Sequence, residues 1–121
     1  MLECMVVGAG GFIGAVCRYL IGLIPLKESC VFPVKTFLIN ITGAFVIGII
    51  AALAMKNQSL NPNVVLFLKV GLCGGFTTFS SFALETGDLM KNGSTGIALL
   101  YVILSVVLGV AAVFAGQEII R

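Results

Sequence analysis

The residues best suited to chemistry form one glycine- and hydroxyl-rich segment, residues 71–82, with the sequence GLCGGFTTFSSF. Glycine, threonine and serine in such density make a poor helix centre. The segment lies inside a long apolar stretch, so backbone groups freed by a helix break must be buried in protein or line a polar cavity. Carbonyls at a broken helix end can hold a cation, and amide groups can hold an anion. An intact glycine-rich helix used for packing is the alternative.

Other candidate residues lie singly in apolar runs. The NH2 group of Asn40 could bind a small anion or form an interhelical hydrogen bond. Arg18 is costly inside a membrane, so it could be paired, cap carbonyls, snorkel to the interface or attract anions. Phe79 and Phe82 share a helix face. They could pack in a core or turn the positive edges of their rings towards an anion.

Membrane helices must position these residues. Of the 121 residues, 60% are hydrophobic and 10% are charged, which is too few for the polar shell of a soluble domain. A spanning helix needs about 20 mostly apolar residues. The apolar stretches predict helices at about residues 5–24, 36–55, 64–84 and 96–117, joined by short polar loops. We therefore predict an all-α transmembrane protein in which residues 1–121 form one domain with a break in the third helix.

Small residues recur every four positions on the predicted helices, as Gly10 and Gly14 do on the first. Such spacing lets membrane helices pack closely. Packing alone does not explain the polar residues on the same faces, which are Arg18, Thr36, Asn40, Tyr101 and Ser105.

The basic residues of the predicted loops and ends, counted together with Lys69 in the first half of the third predicted helix, carry no orientation signal. The two sides of the membrane receive equal numbers of basic residues: Lys56, Lys69 and Arg121 on one side, and Lys27, Lys35 and Lys91 on the other. Orientation normally follows an excess of Lys and Arg on the cytoplasmic side. We therefore expect the chain to insert in both orientations and to pair as an antiparallel dimer.

Three strings resemble the Fluc/CrcB family of fluoride channels: GGFIGA at residues 10–15, NITGAF at 40–45, and the segment at 71–82. The resemblance covers essentially the whole chain, including its length and predicted number of helices. It implies an antiparallel, dual-topology homodimer in the cell membrane, with two narrow pores. The implied function is export of fluoride down its electrochemical gradient, which protects the cell from fluoride toxicity.

The resemblance also implies roles for individual residues. Asn40 matches the family's pore-lining asparagine, and Phe79 and Phe82 match its pair of fluoride-facing phenylalanines. Arg18 matches the first-helix arginine associated with a wide polar vestibule. The rest of the implied fluoride pathway consists of Thr36, Ser80, Ser81, Tyr101, Ser105 and Glu85.

A structural sodium ion at the dimer axis is a further implication. Gly74 and Thr77 match the positions whose backbone carbonyls hold it in the family. The chain departs from the family at two places. Gly109 stands where relatives can carry a further hydroxyl, which shortens the polar track, and Ser81 replaces a frequent threonine but keeps a hydroxyl.

Other classes of function fit the sequence less well. A small dual-topology, proton-coupled multidrug exporter is the chief alternative, but it needs a carboxylate in the first helix, and that predicted helix carries Arg18 instead. A structural assembly subunit would not need aligned polar faces. We do not expect an enzyme, because the chain has no histidine and no paired carboxylates inside the membrane. A net charge of +2, with scattered basic residues, argues against a nucleic-acid partner.

Overall fold

The computed structural model describes residues 1–26 and 31–121, and every regular element in these residues is helical. Lys27, one of the basic residues in the charge balance, lies outside the described residues. The elements are α1 (Leu2–Gly22), α2 (Val34–Lys56), α3 (Pro62–Leu66), a π-helical segment (Phe67–Cys73), α4 (Gly74–Phe76), α5 (Phe79–Lys91) and α6 (Thr95–Ile120). Four stretches of this described part are long and apolar enough to cross a membrane: α1, α2, α6 and Pro62–Lys91, which we call the third span. The predicted all-α fold with four spanning helices is confirmed.

Most helix ends extend beyond the predicted apolar limits, although α1 ends at Gly22, two residues before its predicted end. Residues 85–91 were expected in a polar loop, but they form the last turns of α5, so this expectation was wrong. The helix ends where Asn92 leaves helical geometry and Gly93 adopts φ 83°, a conformation that favours glycine. Hydropathy detects the apolar part of a helix, whereas polar turns that continue the helix carry no apolar signal.

The third span is broken at two threonines. Thr77 (φ −83°, ψ 156°) and Thr78 (φ −147°, ψ 116°) are both extended. The helix restarts at Phe79 with Thr78 as its N-cap, whose Oγ1 accepts a hydrogen bond from the backbone N–H of Ser81 at 3.1 Å. A hydroxyl in this position satisfies an N–H group that the helix start leaves free. The break lies inside residues 71–82, as predicted.

The part of the third span before the break packs against α1 backbone to backbone. Gly10 and Gly14 are buried in this contact. A Cβ atom on Gly10 would lie 2.5 Å from the carbonyl oxygen of Phe67, and one on Gly75 would lie 2.6 Å from that of Gly11. Only glycine allows so close an approach. The π-helical geometry of Phe67–Cys73, which the sequence pattern did not predict, lies along this same contact.

The contact between α2 and α6 also depends on buried glycines. Gly48 and Gly116 are buried, and a Cβ atom on either would overlap the facing backbone, at Val113 and Phe45 respectively. Gly22 continues the four-residue spacing of Gly10 and Gly14 on α1, but a Cβ atom on it would meet nothing within 4 Å, so it does not pack closely against another helix of the described chain. Glycine therefore sets the close approach of α2 and α6, the helices that carry Thr36, Asn40, Tyr101 and Ser105.

Candidate functional site

The side chain of Asn40 bridges the break in the third span. Its Nδ2 donates to the Thr78 carbonyl at 3.1 Å, and its Oδ1 accepts from the Thr78 N–H at 2.8 Å. Asn40 thus makes the interhelical hydrogen bond that was one of its two expected roles. A primary amide has two N–H groups, and this pairing uses only one of them.

The break leaves two backbone carbonyls available. In a continuous helix the N–H of Thr78 would donate to Gly74, and that of Ser81 would donate to Thr77. Here these N–H groups donate instead to Asn40 Oδ1 and to the Thr78 hydroxyl. Among the described residues, the carbonyls of Gly74 and Thr77 have no hydrogen-bond partner. A Cβ atom on Gly74 would meet nothing within 4 Å, so the surface beside it is open.

A third carbonyl near the break is capped by Arg18. The Nε of Arg18, which lies on the neighbouring helix α1, donates to the Gly75 carbonyl at 3.3 Å. Of the roles that the sequence left open for this residue, the structure shows the capping of a carbonyl. The contact places a positive charge at the C-terminal end of a helical segment, where the helix dipole favours it.

Glu85 is held by two hydroxyl groups from different helices. Thr36 Oγ1 donates to one carboxylate oxygen at 2.8 Å, and Tyr101 OH donates to the other at 2.9 Å. Thr36 is buried and Tyr101 has no exposed surface. A carboxylate can only accept hydrogen bonds, so both hydroxyl protons point towards Glu85. This cluster joins α2, α5 and α6.

Two phenylalanines lie between this cluster and the open surface. The rings of Phe79 and Phe82 are 5.7 Å apart between centroids and tilted by 51°, and Phe82 meets Tyr101 edge to face at 5.0 Å. Phe79 is 79% exposed. Phe82 therefore packs in the protein, while the ring of Phe79 is free to contact something outside the chain.

One cleft, which we call the uncharged cleft, lies beside the break and has a volume of about 360 Å³. Its described lining contains no charged side chain and includes Asn40, Gly74, Thr77, Phe79, Phe82 and Ser105. The hydroxyl of Ser105 is buried and makes no hydrogen bond within the described residues. A buried polar atom without a partner is costly, and the wall of this cleft therefore contains a hydroxyl that no described group satisfies.

A second cleft, the charged cleft, has a volume of about 390 Å³. Its lining includes Arg18, Lys35, Thr36, Thr78, Ser81 and Glu85. Lys35 Nζ also donates to the Gly22 carbonyl at 2.8 Å, capping the end of α1. Thr78 lines both clefts. The residue that ends the helix break is therefore common to the two spaces.

The structure thus divides most of the predicted site residues between two neighbouring clefts, whereas Tyr101, which is fully buried, lines neither of them. Ser80 lines neither cleft and is exposed, with its hydroxyl 3.3 Å from that of Thr78. Sequence reasoning missed Thr78 as a site residue. A hydroxyl residue directly before a helical run is a known N-cap signal, and it could have identified Thr78. No local signal marked Gly75 as the carbonyl that Arg18 caps.

Apolar spans that enclose a broken helix and polar clefts define a multi-pass membrane protein. Residues 5–117 match the family described as CrcB-like protein, Camphor Resistance (CrcB), and the chain belongs to this family. The predicted family resemblance is confirmed.

Several relatives are similar over almost their whole length. The Fluoride-specific ion channel FluC of Chlorobaculum tepidum is 46% identical over 116 residues, covering 96% of this chain and 92% of that protein. That of Azobacteroides pseudotrichonymphae is 42% identical, with 94% and 92% covered. That of Rhizobium meliloti is 42% identical over 122 residues, with 100% and 98% covered.

Proposed function

We propose that this chain is a fluoride-selective channel, not an enzyme, which lets fluoride leave the cell down its electrochemical gradient and so limits its toxicity. The observation that carries the proposal is the uncharged cleft, where the unpartnered hydroxyl of Ser105 lies in one lining with Asn40 and the exposed ring of Phe79. A small anion entering a membrane must exchange its water for such donors. Fixed positive charges would also attract chloride and could hold an anion too tightly to release it.

In this proposal the ion passes from the charged cleft, where Arg18 favours anions, along the side of the break. The free N–H of Asn40 and the ring edges of Phe79 and Phe82 contact it. The remaining members of the pathway are Thr36, Ser80, Ser81, Tyr101, Ser105 and Glu85. Because the hydroxyls of Thr36 and Tyr101 donate to Glu85, an anion that reaches them must replace the carboxylate as their acceptor.

The direct test is ion efflux from liposomes that contain the purified protein. We expect rapid fluoride efflux and little chloride efflux under the same gradient. Chloride efflux at a comparable rate would contradict the channel proposal. Uptake of aromatic cations driven by a pH gradient would favour the multidrug exporter instead.

The proposed working unit is an antiparallel homodimer of chains inserted in both orientations. The equal basic charge on the two sides supports dual insertion, and the open surface at Gly74 and Phe79 leaves room for a second copy beside the break. A two-fold contact uses the same surface on both copies and closes at two subunits.

A cysteine added after Arg121, in a chain lacking Cys4, Cys17, Cys30 and Cys73, tests this arrangement. With an impermeant reagent on intact cells, about half of the chains should react, because no orientation is favoured. Labelling of nearly all or nearly none would mean one fixed orientation and would exclude the antiparallel dimer.

A sodium ion at the dimer axis is the remaining part of the proposal. The freed carbonyls of Gly74 and Thr77 are oxygen donors suited to it, and two copies would supply both pairs. The ion would supply positive charge at the negative ends of two helical segments. Thermal unfolding of the dimer in sodium and in N-methylglucamine, at equal ionic strength, tests this. We expect a lower melting temperature without sodium, and equal values would contradict the site.

A further inference from the structure

A row of aromatic rings runs from the uncharged cleft to the segment before α2. From Phe82 it continues through Tyr101 to Phe32, with 5.4 Å between the centroids of the last two rings, and ends at Phe37, again 5.4 Å from Phe32. The Tyr101–Phe32 and Phe32–Phe37 pairs have interplanar angles of 78° and 77°, so both are edge to face. Such pairs are favourable beyond the apolar area that they bury.

Tyr101 is the central member of this row and the one with a polar function. It is fully buried, and its ring makes edge-to-face contacts with the rings of both Phe82 and Phe32. Its hydroxyl must meet a single carboxylate oxygen of Glu85 at 2.9 Å. A hydrogen bond alone leaves the tyrosine ring free to rock about its side-chain torsions, whereas contacts with two further rings restrict that motion.

We propose that Phe32 is a positioning residue for ion transport. It has no polar side-chain atom and lines neither cleft, so its effect on an ion must act through another residue. By holding Tyr101 edge to face, it keeps the tyrosine hydroxyl on Glu85 and the ring of Phe82 turned towards the uncharged cleft. This inference rests on the proposed fluoride pathway, and it adds a residue from the connecting segment to a site otherwise built from the spanning helices.

Phe37 provides the matched control. It packs against the same apolar cluster of Leu89, Ala98 and Tyr101. Its ring pairs with that of Phe32 and, among the described aromatic residues, not with that of Tyr101. Phe37→Leu therefore removes the same atoms from the same cluster and leaves both rings that pair with Tyr101 in place.

Tyrosine fluorescence gives a readout that depends on the position of Tyr101. The chain has two tyrosines and no tryptophan, so Tyr19→Phe leaves Tyr101 as the single emitter. A carboxylate that accepts a tyrosine hydrogen bond quenches its emission. In this parent, Phe32→Leu should raise the emission of Tyr101 and lower its anisotropy, whereas Phe37→Leu should change neither appreciably.

Fluoride efflux is measured on the same set of proteins. Loss of the edge-to-face pair with Tyr101 should lower the rate in Phe32→Leu by about two- to ten-fold, with a smaller change in Phe37→Leu, which loses only the pair with Phe32. Phe32→Tyr, which keeps the ring, should restore the rate. If Phe32→Leu does not yield a folded protein on size exclusion, Phe32→Met replaces it, because methionine fills irregular space more readily.

The role assigned to Phe32 would be overturned if Phe32→Leu left either the Tyr101 emission or the fluoride efflux unchanged. It would also be overturned if Phe32→Leu and Phe37→Leu had equal effects. A parent protein that carries no fluoride would instead overturn the proposed function. The emission comparison would still decide whether Phe32 holds Tyr101 in place.

Discussion

Two contacts between helices differ in the groups that form them. One joins α1 to the third span, and the other joins α2, α5 and α6. The first joins backbone to backbone at Gly10, Gly14 and Gly75. In the described residues, one side-chain hydrogen bond crosses it, from Arg18 to Gly75. The second is joined by side chains, with two hydroxyls donating to Glu85. Glycine sets how closely helices approach but provides no side-chain donor, whereas the polar cluster provides donors at defined positions.

This difference separates two consequences of mutation. A side chain added at the glycine contact has no space and must push the helices apart, so it should affect stability before it affects transport. Replacing a polar group near the break leaves the helices in contact but changes which donors face the clefts. Such a replacement should affect transport before it affects stability. Three sets of variants test this separation.

The largest effect is expected for Gly10→Ala. The new Cβ would lie 2.5 Å from the Phe67 carbonyl oxygen and 2.9 Å from Gly71 Cα, both backbone atoms that cannot turn away. Overpacking of this kind costs about 1–3 kcal/mol and occasionally more, which is a large part of a protein's stability. Thermal unfolding in detergent should show a strongly lowered melting temperature. Gly8→Ala is the control, because a Cβ on Gly8 meets nothing within 4 Å. Equal melting temperatures for the two variants would contradict the close contact.

A smaller loss of stability but a clear loss of transport is expected for Asn40→Asp. A carboxylate can still accept from the Thr78 N–H, but it cannot donate to the Thr78 carbonyl. It also repels anions. Losing one part-buried hydrogen bond costs about 0.5–1.5 kcal/mol of stability. The repulsion of anions acts on transport, so fluoride efflux should fall by roughly 10- to 100-fold, or about 1.4–2.8 kcal/mol. Asn92→Asp, at the exposed end of α5, is the control. Efflux at the unmodified rate would remove Asn40 from the pathway.

The smallest effects are expected for Phe79→Ile and Phe82→Ile, which keep apolar bulk and remove the ring edge. Each should lower fluoride efflux by about two- to ten-fold, which corresponds to the free energy of one aromatic interaction. Phe79→Ile should lower the melting temperature less than Gly10→Ala does, because Phe79 is 79% exposed within its own chain. Phe114→Ile, at an exposed position on α6, is the control. If both variants transport as well as this control, the two rings serve packing only.

Local sequence was sufficient for much of the fold. Long apolar runs require spanning helices in any membrane protein of this composition, and glycine followed by threonine and serine weakens a helix wherever it occurs. The four spans and the break in the third follow from these local properties. The helical extension of residues 85–91 and the π-helical segment do not, since polar turns and a change of helical register leave no distinct apolar pattern.

The sequence by itself determined which residue types reach the membrane interior, including Asn40, Arg18 and the hydroxyls of α2 and α6. Only the tertiary structure decided their partners. Asn40 meets Thr78 from 38 positions away, and Arg18 meets Gly75 from 57. Such pairings depend on how closely the helices approach and on how they are rotated about their axes. Glycine contacts elsewhere in the fold decide both. A side chain shows locally what it can donate or accept, but the packing of distant helices selects the group that it meets.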